Sequence, residues 1–135
     1  MYPLVDLSLP FSSNEKIALN APISLLIPKI NAVVQAINSK GQHPILLTKY
    51  FYLLGRIKFL EGNYEEAQEA FSKCNMLTMN EGTPENYETF YWFGRIYDAK
   101  GEKENAKMYY NYALEKFNSN LNLVSREEII KAINN

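Results

Sequence analysis

From Leu46 to Phe117 the apolar residues recur at helical spacing, and short polar turns interrupt them. Leu46, Leu47, Tyr50, Leu53, Leu54, Ile57 and Leu60 repeat every three or four positions, which puts them on one face of a helix that Gly62 ends. Asn63 with Glu66 three residues later has the form of a capping box. It opens a second helix bearing Ala67, Ala70, Phe71 and Cys74. Asn80, Gly82 and Pro84 mark a turn, with Thr83 as N-cap and Pro84 at a first helical position. The next helix carries Phe90, Phe93 and Tyr97 and stops near Gly101; its partner carries Ala106, Tyr110, Ala113 and Leu114. Upstream, residues 1–14 hold two prolines and little periodicity and read as an extended lead. The apolar segment 18–40 places Ile30, Val33, Val34 and Ile37 at helical spacing and ends at Gly41, a C-terminal cap. Within it Pro22 is suited to opening a helix, and Pro28 predicts a kink or a split. His43-Pro44 starts the following helix. Ser125 with Glu128 is another capping box, over a helix through Ile129, Ile130 and Ile133. No alternating run of β-branched residues is bounded by turns, so the pattern predicts an all-α fold of antiparallel helix pairs.

The pairs repeat. Gly55-Arg56-Ile57 returns as Gly94-Arg95-Ile96, 39 positions later. Phe51, Leu54, Gly62, Ala67 and Phe71 surround the first copy, and Phe90, Phe93, Gly101, Ala106 and Tyr110 stand at the same offsets around the second. An internal period of this size signals stacked supersecondary units. A glycine inside a helix costs about 1 kcal/mol relative to alanine. Gly55 and Gly94 must therefore recover that cost by close contact with the second helix of their pair.

This pattern resembles the tetratricopeptide repeat, a unit of about 34 residues with a Trp-x2-Leu-Gly-x2-Tyr first helix, here with Phe51 and Phe90 in the Trp position, and an Ala-x3-Phe second helix. Repeat one, residues 48–81, has Phe51, Leu54-Gly55, Ala67 and Phe71, with Lys58 in the tyrosine position and Met79 where proline is common. Repeat two, residues 87–118, has Phe90, Phe93-Gly94, Tyr97, Ala106, Tyr110 and Ala113, with Asn118 in the proline position. The resemblance implies a short right-handed solenoid. Residues 1–135 would form a single domain, with the 18–40 segment and a 125–134 helix capping the two repeats. Two repeats are fewer than the three or so that usually make a stable stack, so the flanking helices complete the core. A homo-oligomer is another way to cover the ends.

The resemblance further implies that the first helix of each repeat lines a concave groove. Its groove positions correspond to Lys49, Tyr52, Arg56 and Phe59 in repeat one and to Glu88, Tyr91, Arg95 and Asp98 in repeat two. Tyr52 with Arg56, and Tyr91 with Arg95, are four residues apart, so each pair shares a helix face. Arginine offers a planar fork for carboxylates and tyrosine a rigid, partly apolar contact. The expected function is a protein–protein interaction module that takes a protein or peptide partner, specifically an acidic or C-terminal segment. The alternative use of the two arginines is in salt bridges to the neighbouring repeat. Tyr52 and Tyr91 stand where the family's chaperone-tail binders carry lysine, which argues against that one partner.

Composition narrows the alternatives. At 47% hydrophobic residues the 135-residue chain can bury a core, and its formal charge of −1 lacks the basic footprint of a nucleic-acid binder. No apolar run reaches the ~18 residues of a membrane span. Neither the basic start nor the apolar run of a secretory signal is present in residues 1–10. The single cysteine, Cys74, fits a reducing compartment, hence a cytoplasmic location. Cys74 occupies a small-residue core position, and His43, the one histidine, precedes a proline at a helix start. Glu65, Glu66 and Glu69 read as a solvated face. No catalytic set, metal site or cofactor motif is expected. A secretion-type chaperone holding an extended client is the second reading, and an enzyme accessory domain the third.

Overall fold

The computed structural model describes residues 19–77, 84–117 and 124–135, with backbone alone for 84–87. Among the described residues there are six helices and no strand: α1 (Ile23–Lys40), α2 (Pro44–Leu60), α3 (Tyr64–Leu77), α4 (Pro84–Ala99), α5 (Lys103–Glu115) and α6 (Arg126–Ile133). The expected lead over residues 1–14, the turn residues Asn80, Gly82 and Thr83, and Met79 and Asn118 lie outside the described residues.

α2 packs on α3 and α4 on α5 as two helical hairpins. α3 also packs on α4, α1 lies against α2, and α6 closes the far side of α5. The hairpin turns are built alike. Gly62 and Gly101 both take φ of 81°, a left-handed conformation that an L-side chain resists. Past each glycine, the next amide reaches back five residues: Asn63 donates to the Lys58 carbonyl at 2.9 Å, and Glu102 to the Tyr97 carbonyl at 2.9 Å. This is the Schellman closure, which satisfies carbonyls that the helix end orphans.

The two helical glycines are contact points. A β-carbon on Gly55 would sit 2.7 Å from the Phe71 ring, and one on Gly94 would press still closer on the Tyr110 ring. The aromatic ring of the second helix thus lies flat on the backbone of the first. One core runs through the molecule, from Leu26, Ile30 and Val33 of α1, through Leu53, Ile57 and Phe71, to Trp92, Ile96, Tyr110 and finally Ile129 of α6.

Two expectations need correction. Of the kink or split expected at Pro28, the split is not made: α1 runs unbroken from Ile23 to Lys40. The proline lies early in the helix and exposed, so water can take up the Ser24 carbonyl left without its amide. Glu66 does not lie in a closed capping box. Its carboxylate pairs with Lys58 of α2 at 3.2 Å, and α3 starts on the bond from the Ala67 amide to the Asn63 carbonyl. Ser125 does cap α6, accepting from the Glu128 amide at 3.1 Å. Gly41 closes α1, its amide donating to the Ile37 carbonyl at 2.8 Å. His43 Nε2 donates to the Lys40 carbonyl at 2.7 Å and so ties the α1–α2 turn.

Candidate functional site

α2 and α4, the first helices of the two pairs, carry the eight residues expected to line a groove, and α4 also carries one that was not expected, Trp92. Its indole is 2% exposed and is the largest fully buried side chain described. It stacks on Phe71 at 5.8 Å with an 11° interplanar angle, meets Phe59 edge-on, and donates from Nε1 to the Tyr52 hydroxyl at 3.4 Å. Both arginines of the repeated tripeptide converge on it. The Arg56 guanidinium lies 4.9 Å from the Trp92 ring centroid and the Arg95 guanidinium 5.4 Å. Arg95 also covers the Phe59 ring at 5.1 Å, so each arginine stacks on an aromatic of the other repeat. Cation–π contacts of this kind are worth about 0.5–2 kcal/mol, more when desolvated. The duplicated arginine therefore has a packing role in joining the repeats.

The eight residues separate into two tiers. Tyr52 and Arg56 are 1% exposed, Tyr91 4%, and Glu88 is fully buried. Lys49, Phe59, Arg95 and Asp98 are half-buried. Tyr52, Arg56, Glu88 and Tyr91 are thus buried, while the other four keep partial access to solvent. The Arg56 fork also meets the chain ahead of α1, donating to the Leu19 carbonyl at 3.2 Å.

Arg95 and Asp98 do different work. Arg95 donates to the Tyr91 hydroxyl at 3.1 Å. Among the described residues it makes no other hydrogen bond and no ion pair, so most of its five donors are open. Burial raises the Tyr91 hydroxyl above its ordinary value, against the pull of the Arg95 charge and hydrogen bond, so the phenol keeps its proton. Asp98 accepts from the Tyr110 hydroxyl at 2.7 Å and from Lys103 at 2.9 Å, which fastens α4 to α5. Burial pushes its carboxyl up, but those hydrogen bonds and the Lys103 and Arg95 charges bring it below the ordinary carboxylate value. The Tyr110 hydroxyl is pushed strongly upward by burial and then by Asp98.

Glu65 bridges to Lys100 at 2.6 Å and Gln68 donates to the Tyr97 hydroxyl at 3.2 Å, so α3 and α4 are also linked on the outer side. Two shallow clefts lie away from the α2–α4 face. One is lined by Val34, Ile37, Leu47 and Tyr50, the other by Leu54, Lys58, Glu66 and Lys73. Cys74 is buried. Among the described residues no helix is long and apolar enough to cross a membrane.

Sequence reasoning missed Trp92 and the Tyr110–Asp98 bond. The second had a visible signal. Phe59 and Phe71 of repeat one become Asp98 and Tyr110 in repeat two, so two apolar positions turn polar together. A joint change of that kind is what a hydrogen-bonded pair requires.

The tetratricopeptide repeat model matches the chain twice, over residues 48–78 and 87–115. No curated protein and no solved structure gave a significant match.

Proposed function

From a chain that belongs to the tetratricopeptide repeat family, we infer a non-enzymatic protein–protein interaction module: an adaptor, a co-chaperone or a subunit of an assembly. It binds a peptide or partner helix on the α2–α4 face, and it works in the cytoplasm. Its partner contributes an acidic side chain or a terminal carboxylate. The observation that carries this is Arg95. Its side chain is half-buried, lies beside the Phe59, Tyr91 and Trp92 rings, and has one hydrogen bond among the described residues. A pre-oriented fork with open donors is matched to a carboxylate, which it can bind bidentately. Lys49 and the Phe59 ring supply a second cation and an apolar contact on the rim, while Tyr52, Arg56, Glu88 and Tyr91 hold the floor rigid.

The test is affinity capture from source cells followed by mass spectrometry, with the wild-type chain, Arg95→Ala and Arg95→Lys. One stoichiometric partner should be captured by the wild type, lost with Arg95→Ala, and weakened by Arg95→Lys because the bidentate fork is gone. Capture that Arg95→Ala leaves unchanged removes the groove from the reading. A spectrum of exported clients in place of one partner identifies a secretion-type chaperone holding extended substrates on the same face.

A further inference from the structure

We propose that the cleft between α2 and α3 is a docking site for a tyrosine-like ring, carried between basic residues on a segment of another protein. The cleft lies away from the α2–α4 face and is independent of the reading given to that face. Three observations lead to it.

The first is that repeat two fills the same place with a ring of its own. The α2 wall of the cleft is Phe51, Leu54 and Lys58. The residues 39 positions on are Phe90, Phe93 and Tyr97, and the Tyr109 ring lies on all three. It stacks on Tyr97 at 5.3 Å with a 7° interplanar angle, stacks on Phe90 at 6.4 Å, and tilts against Phe93 at 5.4 Å. The counterpart of Tyr109 in repeat one is Ala70, on the α3 wall of the cleft. Its side chain ends at the β-carbon, so the place of the ring is open. The two repeats share a seat for an aromatic ring, and one of them supplies the ring itself.

The second is size and wall chemistry. The cleft measures about 220 Å³, whereas an apolar cavity of about 150 Å³ already holds a benzene ring. Lys58 takes the position of Tyr97, whose ring lies face to face with Tyr109. A ring entering the cleft therefore meets an ammonium where Tyr109 meets another ring, and that is a cation–π contact. Lys73 already lies over the Phe51 ring at 5.4 Å. An aromatic side chain gains from this arrangement, and an aliphatic one of equal size does not.

The third is charge. Glu66 and Glu69 stand where repeat two has Asn105 and Met108, and both are exposed. Glu66 pairs with Lys58 at 3.2 Å and Glu69 with Lys73 at 3.4 Å, while Glu61 adds a carboxylate to Lys58 at 3.5 Å. The rim thus holds three carboxylates against two ammoniums. Basic residues beside the docked ring complement that surplus.

The test is a titration of the isotope-labelled full chain with acetyl-Arg-Tyr-Arg-amide, followed by solution NMR. The amides of Leu54, Lys58, Ala70 and Lys73 should shift and saturate, while the Trp92 indole stays in place. A peptide with cyclohexylalanine in place of tyrosine should bind about threefold more weakly, the loss of one exposed cation–π contact. Acetyl-Glu-Tyr-Glu-amide should bind more weakly still. Ala70→Tyr supplies the ring from within, as Tyr109 does, and should abolish binding with an unchanged spectrum away from the cleft. Glu66→Lys with Glu69→Lys alters exposed residues alone, so it keeps the test decisive even where the larger ring disturbs α3. It should reverse the preference between the arginine and glutamate peptides. Three results overturn the proposal: no saturable shift at the cleft, equal affinity for the cyclohexylalanine peptide, or wild-type affinity and preference in the variants. Cleft shifts that grow with protein concentration alone, and that Ala70→Tyr removes, make the occupant a second copy and overturn the assignment to another protein. Arg95→Ala should leave the titration unchanged, which separates this site from the groove.

Discussion

Repeat one and repeat two share a template, and they differ where their neighbours differ. Repeat one is interior: α1 covers one side of α2, and α4 the other. Its arginine, Arg56, is 1% exposed, its Phe71 is sealed under Trp92, and its Phe59 faces the next repeat. On repeat two the short α6 packs on α5. Its arginine is half-buried, Phe59 is replaced by Asp98, and Phe71 by Tyr110, whose hydroxyl the aspartate accepts. A carboxylate at position 59 would have faced Trp92 and been stranded. At position 98 it has Tyr110, Lys103 and partial solvent. One offset in a repeat can thus be a core position in one copy and a polar clamp in the next, because the next layer decides what surrounds it.

Giving repeat two the residue of repeat one at the join is the strongest way to break this asymmetry. Trp92→Leu restores the type found at Leu53, but it removes the Phe71 stack, the Tyr52 hydrogen bond and the ring under both arginines. Urea unfolding should show a loss of about 3–4 kcal/mol, within the range for truncating a buried tryptophan. A loss under 1 kcal/mol would mean the repeats are not joined through this ring.

A smaller effect tests what the repeats have in common. Gly55→Ala and Gly94→Ala each gain helix propensity of about 1 kcal/mol, yet each drives a methyl into a packed aromatic ring. Overpacking costs about 1–3 kcal/mol, so both should be net destabilising by thermal or urea melts. Gly94→Ala should be the worse of the two, because the Tyr110 ring is nearer and its hydroxyl is held by Asp98. A net gain in either would show that the ring can slide away.

The clamp of repeat two should give the smallest and most specific signal. Tyr110→Phe copies Phe71 and removes a bond to a charged acceptor, a loss of about 1.5–3 kcal/mol at the upper limit and less here because Asp98 is partly solvated. Its signature is pH. The Asp98 carboxyl is lower in the folded chain than its ordinary value, so its contribution is present above the unfolded value of about 3.9 and fades as pH falls through the lower folded value. The Tyr110 hydroxyl is raised, so its contribution is present below the unfolded value of about 10 and fades as pH rises beyond it. Tyr110→Phe should flatten both limbs of the stability profile, whereas Phe71→Tyr should add an alkaline limb alone. An unchanged profile in Tyr110→Phe would remove the clamp.

Much of the fold is legible because it is written in local terms. The helices follow from spacing, the turns from Gly62 and Gly101 in left-handed conformations, and the helical glycines from the same ring contact made twice. Pro28 does not split its helix, because its cost depends on whether the freed carbonyl meets water, and that depends on which way the helix faces. For the candidate residues the sequence offered positions and not depth. Lys49, Tyr52, Arg56, Phe59, Glu88, Tyr91, Arg95 and Asp98 come from a repeat offset, and an offset has no information on exposure.

By itself the sequence determined the repeat, its caps and the glycine–ring contacts, since each is set by residues within one hairpin and by backbone geometry. Tertiary structure alone decided that Trp92 is the join, that Arg56 is buried while Arg95 is half-buried, and that Asp98 serves Tyr110. The physical reason is that burial and pairing are properties of the space between layers. Residues with identical offsets acquire different neighbours there, and the neighbours fix whether a charge is stacked, clamped or left open to a partner.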